Sequence, residues 1–114
     1  MPDSDCLFCR VVSRDLPVDV VHEGERVLAF RDIDPQAPTH LLVIPRAHHP
    51  SVADLAENDP LTLAELATVA RAVARADGHD EFRLVFNTGA RSGQSVFHVH
   101  GHVLAGRDMT WPPG

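Results

Sequence analysis

The sequence predicts an α+β domain built on an antiparallel sheet. Three observations carry this: about five short apolar runs with strand character, turn-length links between several of them, and one long amphipathic helical segment. Antiparallel neighbours join through tight turns, whereas parallel strands need long crossovers. A chain of 114 residues is long enough for one real core, so residues 1–114 are expected to form a single domain.

Asp5 precedes Cys6 to Asp15, which is expected to form a short helix capped by that aspartate and ended by Leu16-Pro17. Val18 to His22 and Val27 to Asp32 read as two strands across a Glu23-Gly24-Glu25 turn. Pro35 and Pro38 exclude regular structure between Ile33 and Thr39. Leu41-Leu42-Val43-Ile44, bounded by Pro45, reads as a buried strand. Ser51, with Asp54 three residues on, marks a short helix. The long helix follows Asp59-Pro60, a good cap and a proline tolerated at the first helical position. Leu66, Val69, Ala70 and Val73 recur at i, i+3, i+4 and i+7, and Gly78 is a suitable terminator. Phe82 to Asn87 alternates like a strand, and Thr88 to Gln94 is a loop. Phe97 to Leu104 is the last strand, and the Trp111-Pro112-Pro113-Gly114 tail is irregular.

A formal charge of −6 argues against a broad basic surface, so nucleic acid is not an expected partner. A small anionic ligand remains compatible, because binding follows the local field. No apolar run approaches the roughly 20 residues of a membrane helix. The opening Met1-Pro2-Asp3-Ser4-Asp5 lacks a signal-peptide pattern. A soluble cytoplasmic protein with no membrane partner is the expectation. Two cysteines are too few for a disulfide scaffold.

The chemistry concentrates in Phe97-His98-Val99-His100-Gly101-His102-Val103-Leu104. Histidines at every second position share one face of a strand. Neighbours on that face lie about 6.8 Å apart at Cα, so His98 and His102 are about 13–14 Å apart, too far for all three to share one metal. A division of labour follows, with a central reactive ring, His100. Neutral imidazole attacks phosphorus readily, and the phosphohistidine formed is open to water. The ring must hold its proton on the nitrogen away from the substrate, a donor must meet a phosphate oxygen, and the leaving group needs a proton. His102, Gln94, Ser95 and Asn87 are the candidate donors, and His98 or His40 the candidate proton carriers. The glycine-containing loop from Gly89 to Ser95 reads as a phosphate cradle leading into the strand.

His98-Val99-His100-Gly101-His102-Val103-Leu104 resembles the signature of the histidine triad (HIT) family. So do Leu28-Ala29-Phe30-Arg31-Asp32-Ile33, Pro35-Gln36-Ala37-Pro38-Thr39-His40, Leu42-Val43-Ile44-Pro45, Gly93-Gln94-Ser95-Val96 and Trp111-Pro112-Pro113-Gly114. Together they resemble the Hint branch, the histidine triad nucleotide-binding proteins. The resemblance implies a homodimer whose sheet continues across the two subunits. It also implies a purine nucleoside phosphoramidase working through a nucleotidyl-histidine intermediate. By position, His100 resembles the nucleophile and His102 an α-phosphate ligand, while His98 and His40 complete the proton-handling cluster. Asn87, Gln94 and Ser95, with Val96 beside them, match phosphate and leaving-group contacts. Asp32 matches the ribose carboxylate, and Phe8, Phe30 and Ile33 the slot for the base. Trp111 matches a residue that reaches the partner's site. The pattern departs at Gly101, where an apolar side chain is usual; this is expected to soften the strand locally.

Cys6-x-x-Cys9 has the spacing of a metal knuckle, and a redox pair or two packed thiols are the alternatives. The resemblance implies a structural zinc on Cys6, Cys9, His48 and His98, with His49 the alternate for His48 and no cofactor needed for catalysis. A zinc-bound His98 would leave acid–base work to His40 and His102. His22 and His79 read as surface residues. Three competing functions stay open: a dinucleoside polyphosphate hydrolase, a nucleotide-binding interaction module with incidental catalysis, and a zinc hydrolase using the triad as ligands.

Overall fold

One strand, Thr39–Pro45, is buried along its whole length, and the rest of the molecule is arranged around it. The computed structural model describes residues 5–114; the acidic opening expected at residues 1–4 lies outside the described residues. In chain order the elements are α1 (Leu7–Val12), β1 (Val20–Glu23), β2 (Val27–Arg31), β3 (Thr39–Pro45), α2 (Val52–Asn58), α3 (Pro60–Ala76), β4 (Arg83–Val85) and β5 (Gly101–Ala105). The five strands form one sheet in the order β1-β2-β3-β5-β4, every pair antiparallel. The α+β expectation therefore holds, with β5 inserted between β3 and the edge strand β4.

Alternation sorts the strands into two cores. Val27, Ala29, Leu41, Val43 and Val103 face α3 and pack against its Leu66, Val69, Ala70 and Val73. Leu28, Phe30, Leu42 and Ile44 face the other way and pack against Cys6, Phe8, Cys9 and Val11 of the N-terminal segment. His40 precedes Leu42 by two, and His102 pairs with Leu42, so both histidines sit on the α1 face. At its C-terminus α3 is tied to the sheet by Asp77, which accepts from both terminal guanidinium nitrogens of Arg31 (2.8 and 3.0 Å) and from the Thr39 hydroxyl (2.8 Å).

Several local expectations are corrected. α1 is capped by Cys6, not Asp5: Cys6 has extended backbone, and its sulfur accepts the Cys9 N–H at 3.2 Å. It ends at Val12, before Arg14 turns to φ +68°, rather than at Leu16-Pro17. β4 is three residues long rather than six, and a 3-10 turn at Ala90–Ser92 lies within the expected loop. β5 starts only at Gly101, so His98 and His100 precede it and the single histidine strand is not formed. The Val99 N–H goes instead to the His49 carbonyl, at 2.7 Å. The space beside Gly101 is occupied: a Cβ there would lie 2.9 Å from Leu84 Cδ1 and 3.2 Å from the Phe86 ring, so these side chains already fill it.

Candidate active site

The break before β5 lets the three histidines take different partners. His98 is wholly buried, and its Nε2 lies 2.8 Å from the Pro45 carbonyl. A carbonyl only accepts, so Nε2 carries the proton and Nδ1 keeps its lone pair. That lone pair faces Cys6 Sγ at 3.4 Å, Cys9 Sγ at 3.5 Å and His48 Nδ1 at 3.3 Å, and Cys9 Sγ lies 3.4 Å from His48 Nδ1. Tetrahedral zinc with bonds of about 2.3 Å to sulfur and about 2.05 Å to nitrogen has S–N edges of about 3.5 Å and N–N edges of about 3.3 Å. The observed separations match those edges. The Pro45 carbonyl is the outer partner that a metal-bound histidine uses to fix its ring. Cys6, Cys9, His48 and His98 thus fit a zinc ion, and geometry selects His48 over His49.

His100 is oriented by the same logic. Its Nδ1 lies 2.9 Å from the His98 carbonyl, so Nδ1 donates and Nε2 keeps the lone pair. Among the described residues no buried side-chain nitrogen or oxygen lacks a partner. His100 Nε2 makes no bond within the described chain, so it opens to solvent. The Phe8 ring stands edge-on to the imidazole, with centroids 5.0 Å apart. Burial pushes the His100 pKa below 6.5, against the opposing pull of the His98 carbonyl and Asp32, which keeps the ring neutral at pH 7.

His40 and His102 form a directed pair. The backbone N–H of Gln36 donates to His40 Nδ1 at 3.0 Å, so His40 carries its proton on Nε2. That nitrogen lies 2.9 Å from His102 Nδ1 and 3.4 Å from Asp32 Oδ2. His102 Nδ1 therefore accepts, and its Nε2 is an N–H donor. Burial is the main force holding His102 down to about 4, and His100 and His40 add to it. Asp32, His40 and His102 are close enough to suggest a second metal site. The Gln36 N–H argues against it, because a metal on His40 Nε2 would leave that ring without a proton.

The remaining expected residues are spread around this centre. Asp32 is partly buried and accepts the Asp34 N–H at 2.8 Å. Phe8 and Phe30 are buried and in edge contact at 5.6 Å, whereas Ile33 is 96% exposed. The Gln94 amide is committed within its loop: Nε2 donates to the Pro50 and Val96 carbonyls, and Oε1 accepts the Gly89 N–H. Gln94 thus braces the loop from Gly89 to Ser95 rather than offering a donor from its side chain. Ser95 is exposed and Val96 packs on the α1 core. Asn87 shares a cleft with His40 and His102. Trp111 is 84% exposed. Sequence reasoning missed Gln36, Pro45, Arg83 and Arg107. The first two act through backbone atoms, which no side-chain motif signals. The two arginines line the Asn87 cleft and carry no motif of their own.

A family model described as HIT domain matches residues 13–109. The chain is 44% identical over 117 residues to a protein of Zea mays named 14 kDa zinc-binding protein, covering 100% of this chain and 91% of that one. A HIT family hydrolase of Legionella pneumophila superposes with a TM-score of 0.92 at 48% identity, over 96% of this chain and 100% of that one. A HIT family hydrolase of Clostridium thermocellum superposes at 0.90 with 39% identity, over 95% and 96%.

Proposed function

This chain belongs to the HIT domain family, and on that footing we propose that it is a hydrolase of purine nucleoside phosphoramidates that works through a nucleotidyl-His100 intermediate. One observation supports the reading above the others. Two independent hydrogen-bond chains, each starting at a backbone group, leave a lone pair on His100 Nε2 and a proton on His102 Nε2. A nucleophile and a donor on adjacent rings, with centroids 5.0 Å apart, suit attack at a phosphoryl centre.

In this reading His100 Nε2 attacks phosphorus, and the electron pair of the P–N bond leaves with nitrogen. His102 hands its Nε2 proton to that nitrogen while its Nδ1 takes the His40 proton, and solution replaces the latter through Asp32. The charge gained by the His100 ring is met by its Nδ1–H bond to the His98 carbonyl. Water then breaks the phosphorus–His100 bond. Its hydroxyl goes to phosphorus and its proton returns through His102, so the cluster ends as it began. Asp32 also suits a ribose diol, because a carboxylate accepts two O–H bonds. Phe8, Phe30 and Ile33 are assigned to the base, Ser95, Val96 and Asn87 to the phosphate and leaving group, and Trp111 to a second copy of the chain. The reading includes a single HIT domain, a homodimer with a continued sheet, and a cytoplasmic setting that keeps both thiols reduced. A zinc ion on Cys6, Cys9, His48 and His98 would supply structural cross-linking of the N-terminal segment to the sheet.

Two displacements at phosphorus give net retention, and one gives inversion. An adenosine phosphoramidate made chiral at phosphorus with sulfur and an oxygen isotope is expected to be hydrolysed with retention; inversion removes the covalent intermediate.

A further inference from the structure

We propose that the cleft between His102 and the β4 edge is a leaving-group subsite, and that Arg83 and Arg107 make it selective for leaving groups bearing an oxyanion, carboxylate or phosphate. The inference rests on the phosphoryl-transfer reading above and names the substrate class that reading leaves open.

The placement follows from the order of strands across the α1 face. β2 carries Phe30, with Asp32 just beyond it; β3 carries His40, β5 carries His102 and β4 carries Arg83. Arg83 pairs with Leu104, which pairs with His40, so these three stand in one row. Val85, His102 and Leu42 form the next. Strands lie about 4.8 Å apart, and same-face neighbours along a strand about 6.8 Å apart, which puts Arg83 one diagonal step, about 8 Å at Cα, from His102. A nucleotide whose sugar meets Asp32 and whose phosphorus meets His100 and His102 has its scissile bond directed toward β4. A cleft of about 220 Å³ lies there, and its lining includes His40, Asn87 and His102 together with Arg83, Arg107 and Met109.

The charge of this cleft is unusual for the chain, whose formal charge is −6. Among the described residues the arginine ion pairs belong to Arg14, Arg31 and Arg75. Arg83 instead donates to the Thr110 carbonyl at 2.9 Å. Arg107 donates from Nε to the Gln36 carbonyl at 3.0 Å and from one terminal nitrogen to the Asp108 carbonyl at 3.2 Å. These bonds go to carbonyls and neutralise neither charge, the two on Arg107 orient its guanidinium, and each guanidinium keeps N–H groups for another acceptor. Glu81 and Asp108 line a second depression together with the same arginines and form no ion pair with them. Two oriented, uncompensated guanidiniums beyond a scissile bond are a receptor for an oxyanion.

The test compares four adenosine 5′-phosphoramidates whose amines are aspartate, 2-aminoethylphosphonate, a neutral alkylamine of equal length and a diaminoalkane. Both anionic conjugates are expected to have kcat/KM at least about tenfold above the neutral one, with the cationic diaminoalkane conjugate lowest. Aspartate leading identifies a carboxylate ligand, and the phosphonate leading identifies a phosphate. Arg83→Gln with Arg107→Gln should level the series while keeping the neutral rate, and the two lysine substitutions should restore much of the preference. A flat series with the native protein overturns the subsite, as does equal loss for charged and neutral conjugates in the glutamine variant, which marks a merely structural role. Calorimetric binding of the four to His100→Gln separates the two proposals. A tenfold anionic preference in binding without turnover in the native protein keeps the subsite and removes the reaction, and no preference in binding removes the subsite.

Discussion

At the residue scale, function turns on which ring nitrogen holds the proton. The His98 carbonyl fixes His100 and the Gln36 N–H fixes His40, which in turn fixes His102. His100→Ala is expected to lower turnover on the order of 10⁴-fold or more while leaving AMP affinity nearly unchanged; steady-state kinetics beside calorimetry would check this. Full activity in that variant would move the nucleophile elsewhere. The acid limb of kcat/KM should fall below pH 6.5, since burial lowers the pKa of His100 and holds His102 down to about 4. The same shift has a stability consequence. The folded state disfavours charged His102, so the stability its neutral form contributes is whole above about pH 6.5 and fades as pH falls toward 4. The identities of His100, His102 and His40 were legible in the sequence. Their tautomers were not, because backbone groups of distant residues decide them. Gln94 shows the converse: the residue stood out, but its amide bonds to Pro50 and Val96 are visible only in the fold.

At the scale of elements, alternation and capping carried most of the legible information. Ser51 and Asp59 cap α2 and α3 as the sequence predicts, through bonds to the Asp54 and Thr62 N–H groups. The strand expected over Phe97 to Leu104 begins only at Gly101. Period two is also satisfied by a bent segment whose histidines bond to the Pro45 and His98 carbonyls, and local pattern cannot separate the two cases. Gly101 is a second case of tertiary override. Its missing side chain is matched by Leu84 of β4 and Phe86 just beyond it, a pairing with no local signal. Gly101→Ala is accordingly expected to destabilise by about 1–3 kcal/mol through overpacking, read from urea unfolding. An unchanged midpoint would mean that Leu84 and Phe86 yield freely. Asp77 joins α3 to the sheet, and its bonds to Arg31 and Thr39 hold its carboxyl at about 2. That stabilisation is complete above the ordinary value of 3.8 and is lost as pH falls through 2. Arg31 is 40% exposed, so screening keeps the contribution on the order of 1 kcal/mol. Asp77→Asn should lower stability by that amount at pH 7 and by progressively less toward pH 2.

At the scale of the molecule, the two faces of the sheet have separate duties. The α3 face supplies the larger core, and Leu66, fully buried there, should cost about 2–5 kcal/mol when cut to alanine. The α1 face carries the histidines and the cysteine pair, so the segment that closes its core also buttresses His100 through Phe8. Chain length, turn-length links and the long helix made the α+β class readable without coordinates. Which strands neighbour one another was not readable, because β5 enters between β3 and β4 through long-range pairing. The donor set predicts one zinc per chain, measurable by native mass spectrometry, with Cys9→Ser abolishing it and chelation lowering the melting temperature. The most direct test of the whole account is rapid quenching of the native protein with an adenosine phosphoramidate, followed by peptide mass spectrometry. The account predicts an adenylyl group on His100 that forms and decays at the rate of turnover. Product accumulating with His100 unmodified, or with the adenylyl group on another residue, would contradict it.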